Sequence, residues 1–221
     1  MVYNPLNHKI EFIKGVGPNK AAALKKELGI SQLKDMLDFF PFRYEDRSQI
    51  LKITDIDDNT NAGLYMIQVI SKKKAGRYRG KSLKVSVKDS TGYAELVWMK
   101  GIEWVEDKMV AGKRYIIYGK PKIIKEKVSF FHPEFGDKST MPMGLRPVYP
   151  SSENLKRRFI NNRFFNRIIE EIISKTKQHI KENLSGELIQ NLSLISKSDA
   201  VINMHLPKSF AHIKEACLLY T

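Results

Sequence analysis

The sequence predicts an α+β chain in which a small five-stranded β-barrel lies between two helical regions. Apolar residues recur at helical spacing near both ends of the chain, whereas the middle of the chain alternates as strands do. Glycine and proline breakers crowd into the segment that follows the strands. These patterns divide the chain into an N-terminal helical region (1–54), a barrel (55–135), a linker (136–150) and a C-terminal helical segment (151–221).

The charge of the chain favours a polyanionic partner. Among 221 residues, 38 Lys and Arg stand against 24 Asp and Glu, so the formal net charge is +14. Hydrophobic residues make up 42%, which is enough for a buried core and argues against intrinsic disorder. No apolar run reaches the roughly 18 residues of a membrane span, and the N-terminus lacks the apolar segment of a secretory signal. We therefore expect a cytoplasmic protein with no membrane partner.

Residues that commonly carry catalysis or bind metals are scattered along the sequence. Cys217 is the single cysteine, and the five histidines never lie three to five residues apart. The acidic pair Glu45-Asp46 has no accompanying nucleophile or histidine base. We expect no metal site, no catalytic residue and no small-molecule substrate in this chain.

The N-terminal region predicts two helices joined by a glycine turn. A short apolar segment at 10–13 precedes the turn Gly15-Val16-Gly17-Pro18, and helical spacing then continues to Gly29. This arrangement is similar to a helix-hairpin-helix module, in which backbone N–H groups of the turn bind a phosphate. The candidate phosphate contacts are Gly15, Gly17 and Lys20.

Helical periodicity recurs on both sides of the barrel. An amphipathic piece from Leu33 to Phe40 ends at Pro41, and the sequence PFRYEDRS (41–48) is too charged for a regular element. Beyond the linker, Ser151 or Ser152 caps a helix with an apolar stripe, and helices at 184–195 and 198–206 follow. The stripe comprises Leu155, Phe159, Phe164, Ile168 and Ile172. Because the sequence stops inside a helical pattern, we expect it to be part of a longer protein.

Five β-rich segments predict the barrel. The turn Asp89-Ser90-Thr91-Gly92 joins the second and third strands, and residues 102–110 predict a short helix after the third strand. Three strands, a helix and two strands in this order are typical of an OB-fold. The predicted strands are 65–71, 82–88, 93–99, 114–120 and 127–132.

A basic segment joins the first two predicted strands. Six cations fall within ten residues, with a tyrosine among them and no acid. In an OB-fold this loop helps to line the nucleic-acid groove, where cations neutralise phosphates and an aromatic ring stacks on a base. The alternative is a solvated loop without a dedicated ligand. The candidate residues are Lys72, Lys73, Lys74, Arg77, Tyr78, Arg79 and Lys81.

Residues 75–82 also match a relaxed phosphate-loop pattern in which alanine replaces the first glycine. A phosphate loop leads into a helix, whereas the following SLKVSVKD alternates and predicts a strand. We therefore expect no ATP binding by this segment.

Large side chains lie around the end of the third predicted strand. Trp98 and Trp104 are the only tryptophans, and Met99 lies between them. Exposed rings at a barrel rim suit stacking on bases, but strand alternation places one of Trp98 and Met99 in the core. All three residues are candidates for base contact.

The order of these features resembles the N-terminal part of RecG, the family of bacterial ATP-dependent branch-migration helicases. PFRYEDRS, HPEF and PVYP are the most specific matches. The matching blocks cover nearly the whole chain: IKGVGPNKAAALKKELGI (13–30), MLDFFPFRYEDRS (36–48), VSVKDSTGYAELVW (85–98), AGKRYIIYGKPK (111–122), FFHPEF (130–135), LRPVYP (145–150) and INMHLPKS (202–209).

This resemblance implies that the barrel is a wedge, which splits the arms of stalled forks and Holliday junctions in DNA recombination and repair. Aromatic residues after the third wedge strand stack on opened bases in that family, which points to Trp98 or Met99 together with Trp104. This chain departs from the family at Met99, where an aromatic residue is usual. The motor domains that bind ATP and Mg²⁺ would follow residue 221, so this chain is expected to hold no cofactor and to hydrolyse no ATP alone.

Two other functions are compatible with the sequence. A self-contained OB-fold protein would bind single-stranded DNA or RNA according to strand length, whereas a wedge would prefer branched DNA. A phosphate-loop hydrolase would bind ATP, and the substitution Lys81→Ala would abolish that binding. We expect no ATP binding by this chain.

Overall fold

The computed structural model describes residues 4–76 and 80–219. The chain forms two compact units. We call residues 4–45 with 145–219 the helical unit, and the described residues of 46–144 the barrel unit. No helix within the described ranges is long and apolar enough to cross a membrane.

The α-helices are numbered along the chain, and only α3 belongs to the barrel unit. They are α1 (Gly17–Leu28), α2 (Leu33–Leu37), α3 (Ile102–Lys108), α4 (Glu153–Arg157), α5 (Asn162–Thr176), α6 (Gly186–Asn191), α7 (Lys197–His205) and α8 (Phe210–Leu218). Single 3₁₀ turns occur at Pro5–Asn7, Ile10–Phe12, Ile53–Asp55 and Lys177–His179.

Two sheets account for the strands. A two-stranded sheet pairs β1 with β10, and an eight-stranded sheet contains the others. The strands are β1 (Arg43–Arg47), β2 (Ile50–Leu51), β3 (Gly63–Ala75), β4 (Ser82–Lys88), β5 (Tyr93–Trp98), β6 (Arg114–Gly119), β7 (Pro121–Ile124), β8 (Lys127–Phe131), β9 (Glu134–Gly136) and β10 (Gly144–Val148).

The larger sheet confirms the predicted OB-fold arrangement. Its neighbouring strands follow the order β7, β8, β5, β4, β3, β6, β9, with β2 beside β3. The first strand, β3, pairs antiparallel with both β4 and β6, while β5 runs parallel to β8. The five predicted strands and the helix between the third and fourth are all present, and α3 ends two residues earlier than expected. Three further short strands of this sheet, β2, β7 and β9, were not predicted.

The hairpin between β4 and β5 closes through the side chain of Asp89. Its Oδ1 accepts hydrogen bonds from the N–H groups of Thr91 and Gly92 at 2.6 and 2.8 Å. Its Oδ2 accepts one from the N–H of Ile53. These bonds lower the pKa of Asp89 despite partial burial, because they stabilise the ionised carboxylate. The predicted turn is therefore confirmed.

The helices at the two ends of the chain share one hydrophobic core. Side chains of α1 and α2, including Leu24 and Met36, pack with α5 residues such as Phe165 and Ile169. The sequence predicts 1–54 and 151–221 as separate regions, because periodicity shows that a helix has an apolar face but not which segment covers it. Burial of the α5 stripe joins segments that lie more than a hundred residues apart in sequence.

Phe159 is a correction to the predicted stripe. It lies between α4, which ends at Arg157, and α5, which begins at Asn162, and its side chain is 79% exposed. The caps explain the break, since Asn161 accepts a hydrogen bond from the N–H of Phe164 and starts a new helix.

Two other local predictions were wrong. The apolar segment before Gly15 forms a single 3₁₀ turn (Ile10–Phe12), so α1 lacks a helical partner of the hairpin kind. The segment 41–48 contains β1, which pairs with β10 and whose charged residues gave no hydrophobic signal of a strand. Arg47 in β1 is buried, donates to both carboxylate oxygens of Glu134 at 3.0 and 3.1 Å, and lies 3.7 Å from the ring centroid of Tyr118.

A buried histidine links three segments of the helical unit. Nε2 of His205 lies 2.8 Å from the carbonyl oxygen of Leu37, which can only accept, so Nε2 carries the proton. Nδ1 of the neutral ring then accepts from the hydroxyl of Tyr149 at 2.9 Å. Burial lowers the pKa of His205 from 6.5 to about 4, although the bond to Leu37 opposes that shift.

This shift predicts that the helical unit loses stability in mild acid. As pH falls from about 6.5 to about 4, the unfolded chain binds a proton at His205 that the native state does not, so the free energy of unfolding falls by about 3 kcal/mol. Urea unfolding at several pH values, compared with His205→Gln, measures this contribution. The difference in free energy of unfolding between the two proteins should shrink as pH falls. A constant difference, together with a His205 imidazole that titrates near 6.5 by NMR, would contradict this prediction.

Candidate nucleic-acid interface

Three of the predicted cations lie in a strand and not in a loop. β3 continues to Ala75, so Lys72, Lys73 and Lys74 pair with β4 in a hairpin that extends beyond the buried part of the sheet. Lys81 is exposed just before β4 begins. The other three candidates, Arg77, Tyr78 and Arg79, lie outside the described residues.

Strand alternation divides these lysines between two faces. Lys72 and Lys74 stand opposite the buried residues Val85 and Leu83. Both reach Glu106 of α3, where Nζ of Lys72 donates to the main-chain carbonyl at 2.7 Å and Nζ of Lys74 meets the carboxylate at 2.5 Å. The contact with Glu106 raises the pKa of Lys74. Two of the predicted phosphate ligands therefore hold α3 against the hairpin.

Lys73 faces the other side of the sheet, directly opposite Lys84 of β4. Like charges at opposed positions of an antiparallel pair repel each other. Lys84 is compensated by Glu95 at 3.0 Å, and no ion-pair partner of Lys73 lies among the described residues. An anion bound at this position would relieve the repulsion.

The cross-strand register continues this row into an exposed aromatic ring. Lys84 lies opposite Val97, and Val97 lies beside Phe131 of β8. Phe131 is exposed, and Nζ of Lys122 lies 5.8 Å from its ring centroid. We call Lys73, Lys84, Phe131 and Lys122 the outer sheet face. Sequence reasoning missed the last three, because only the register of five strands (β3, β4, β5, β8 and β7) brings them together.

An aromatic cluster lies at the end of β5. Its centre is Phe135 of β9, whose ring centroid is 5.7 Å from Trp98, 5.4 Å from Trp104 and 6.2 Å from Tyr115. Trp98 is only 4% exposed, whereas Trp104 is 60% exposed. Trp98 thus belongs to the barrel core, and its predicted contact with bases would require the core to open. Phe135 was visible in the sequence only as part of the HPEF block.

Met99 and Trp104 are the exposed candidates at this rim. Met99 directly follows β5, and its N–H donates to Nε2 of His132 at 3.2 Å. Gly101, at φ +65°, then turns the chain into α3, which carries Trp104 one turn later. Because Phe135 packs against one side of the Trp104 ring, the ring is positioned while most of it faces solvent.

The glycine turn of the helical unit is occupied by side chains of its own unit. Nζ of Lys20 donates to the carbonyl of Gly15 at 3.1 Å and lies 5.1 Å from the ring centroid of Phe164. Nη1 of Arg167 donates to the carbonyl of Lys14, and its guanidinium lies against Gly15. Gly17 begins α1 with φ +64°. The ammonium group of Lys20 thus already donates within the turn, and its role as a phosphate contact stays a prediction.

The phosphate-loop pattern leads into β4 and not into a helix. A strand does not aim its backbone N–H groups at a phosphate as the first turn of a helix does. The expectation that this segment is not a phosphate loop is therefore consistent with its local structure.

Known proteins with the same architecture are found by comparison of sequence and structure. A family profile described as the RecG wedge domain matches residues 9–176. The ATP-dependent DNA helicase RecG of Thermotoga maritima is 28% identical over 223 residues, covering 96% of this chain and 27% of that protein. RecG of Streptococcus pneumoniae is also 28% identical, covering 96% of this chain and 30% of that protein.

A solved structure described as RecG bound to a three-way DNA junction matches the fold with a TM-score of 0.80 and 26% identity. The match covers 97% of this chain and 29% of that one. This chain therefore spans less than a third of the length of the relatives it matches. Because the profile covers three quarters of the chain and the solved RecG structure matches its fold, the chain belongs to the RecG wedge domain family.

Proposed function

We propose that this chain is the DNA-binding wedge of a RecG-like branch-migration helicase, and that its barrel unit recognises and splits branched DNA. The observation that carries this proposal is the exposed Trp104 ring, held at the barrel rim by Phe135. A ring in this position offers a stacking surface to a base at the point where a duplex opens. Membership of the wedge family and the junction DNA bound by the solved relative support the same role.

The rim acts as a steric pin because its parts are rigid. α3 is anchored from below by Val105 and Met109, which are buried in the barrel core, and from the side by the two lysine contacts to Glu106. Trp104 therefore stays in place when DNA is driven against it, and the energy of translocation separates base pairs instead of displacing the helix.

The cations of the outer sheet face and of the hairpin bind the phosphates. Lys73 and Lys81 are exposed, and the ring of Phe131 provides a second aromatic surface beside Lys122. Cations and rings on one face suit an unpaired strand, since phosphates and bases are bound together. We propose that this face holds the displaced strand while Trp104 contacts the branch point.

The motor activity belongs to the remaining length of such a protein. The relatives are named ATP-dependent DNA helicases, and this chain covers about 30% of them. ATP and Mg²⁺ would act there, in the repair of stalled forks and the processing of Holliday junctions.

A self-contained single-strand binder is the second candidate, and the outer sheet face is the observation that favours it. Fluorescence anisotropy at fixed salt separates the two, using a three-way fork, a linear duplex and a single strand of matched length. Fork binding at least about tenfold tighter, or roughly 1.4 kcal/mol, supports the wedge. Equal affinities would leave only the single-strand binder.

Trp104→Ala should weaken fork binding by about 1 to 3 kcal/mol, because it removes one stacking surface. The control is Tyr93→Ala, which removes a 72% exposed ring from the opposite end of β5 and should leave fork affinity unchanged. Anisotropy titrations with folded variants, checked by circular dichroism, make the comparison. An equal loss in both variants, or none in either, would contradict a specific role for Trp104.

The hairpin lysines should differ in their effect on salt dependence. Lys73→Gln/Lys81→Gln should reduce the slope of log affinity against log salt by up to about 1.8, since each released phosphate contact contributes about 0.9. Lys72→Gln/Lys74→Gln carries the same charge change, but these side chains already contact Glu106, so the slope should change by less than half as much. Equal changes in the two double variants would show that the two faces of the hairpin are not distinguished by DNA.

A further inference from the structure

A second basic and aromatic patch lies in the helical unit, at the end of α4. Arg157 and Arg158 are exposed, and Phe159 follows them with a side chain 79% exposed. We call Lys26, Arg157, Arg158 and Phe159 the α4 patch. None of these residues takes part in the barrel site described above.

The backbone at Phe159 has an unfavourable conformation for a phenylalanine. Its φ of +60° lies in the left-handed region, which glycine or asparagine adopts at much lower cost. Hydrogen bonds from the N–H of Phe159 to Lys156 and from the N–H of Ile160 to Leu155, both 2.9 Å, fix this turn. Leu155 and Ile160 are buried in the core, so the fold requires the turn, whereas most of the Phe159 side chain lies in solvent.

A cleft of about 600 Å³ between α1 and α4 places a third cation beside the two arginines. Lys26, Arg157 and Arg158 line it, together with one acid, Glu27, among the described residues. The carboxylate of Glu27 accepts from Ser152 Oγ at 2.7 Å and from Asn154 Nδ2 at 3.3 Å. These hydrogen bonds and the nearby cations lower its pKa, so it stays ionised and the three cations exceed it by two charges.

We propose that the α4 patch is a second nucleic-acid site, which binds an unpaired segment of a single strand. A base stacks on the Phe159 ring, and the flanking phosphates are bound by the guanidinium groups of Arg157 and Arg158 and by Lys26. Guanidinium groups suit this role because they can donate two hydrogen bonds to one phosphate. The flat, exposed ring follows Arg158, which lines an open and mainly polar cleft, and it fits a base better than an apolar peptide side chain, which needs an enclosing pocket.

This site goes beyond the barrel function, since it lies on the other unit and uses different residues. A protein that separates strands leaves unpaired DNA at more than one point. A contact on the helical unit would retain one such strand independently of Trp104.

Photo-cross-linking locates the site directly. The full chain is irradiated with a thymidine oligomer of about 12 nucleotides that carries 5-iodouracil, within the length range of single-strand sites. Mass spectrometry of the digested product should find adducts on Phe159. Adducts confined to barrel residues such as Trp104 would overturn this inference and leave the proposed function standing, and the absence of adducts from both units would count against both.

Affinity in a Trp104→Ala background tests the stacking. Phe159→Gly should weaken binding of the thymidine oligomer at least about fivefold and leave an abasic oligomer of equal length unaffected. The same change should maintain or raise the melting temperature, because glycine suits φ +60°. Unchanged affinity for the thymidine oligomer, or an equal loss for both oligomers, would overturn the stacking role.

The phosphate contacts have their own test and matched controls. Arg157→Ala/Arg158→Ala should weaken binding of both oligomers. The control Lys175→Ala/Lys177→Ala makes the same charge change at the far end of α5, roughly 20 Å along the helix, and should have a smaller effect. Phe12→Ala, which removes a 78% exposed ring beside Glu11, is the control for Phe159. Equal effects of the paired variants would reduce the α4 patch to general surface charge and overturn the proposal.

Discussion

Burial of the apolar side of α5 is the constraint on which the helical unit depends. Phe165, Ile168, Ile169 and Ile172 are fully buried, and no single neighbouring segment covers them. Residues from both ends of the chain supply the cover, so the unit is complete only after the chain has left it near residue 45 and returned near 145. The hydrogen-bonded network of Tyr149, His205 and Leu37 links the returning chain to both sides of this core.

The barrel unit depends on strand alternation in the same way. Alternation turns Lys72 and Lys74 towards α3 and leaves Lys73 on the opposite face, while Trp98 is buried at the end of β5 and Met99, just beyond the strand, is exposed. A cluster of lysines that looks uniform in the sequence therefore has two roles. Two members support the helix that carries Trp104, and the third contributes to a charged sheet face.

Both proposed contacts combine an exposed ring with nearby cations, but the rings are held differently. Trp104 is positioned by packing against Phe135, which favours a fixed pin. Phe159 is positioned by its backbone, in a turn that the buried Leu155 and Ile160 impose. The unfavourable backbone conformation of Phe159 points to a function more strongly than its exposure does. Stability alone would favour another residue at this position.

The sequence by itself determined five of the barrel strands, the helix after the third strand, the Asp89 turn and the family, because each of these follows from local alternation, turn chemistry or contiguous motifs. It did not reveal β1, whose charged residues pair with a strand a hundred positions away, or the common core of the terminal helices. It placed Phe159 in an apolar stripe, although a cap at Asn161 exposes it. Only the tertiary structure decided which rings and lysines face solvent, since that depends on the register between strands and on contacts between distant segments.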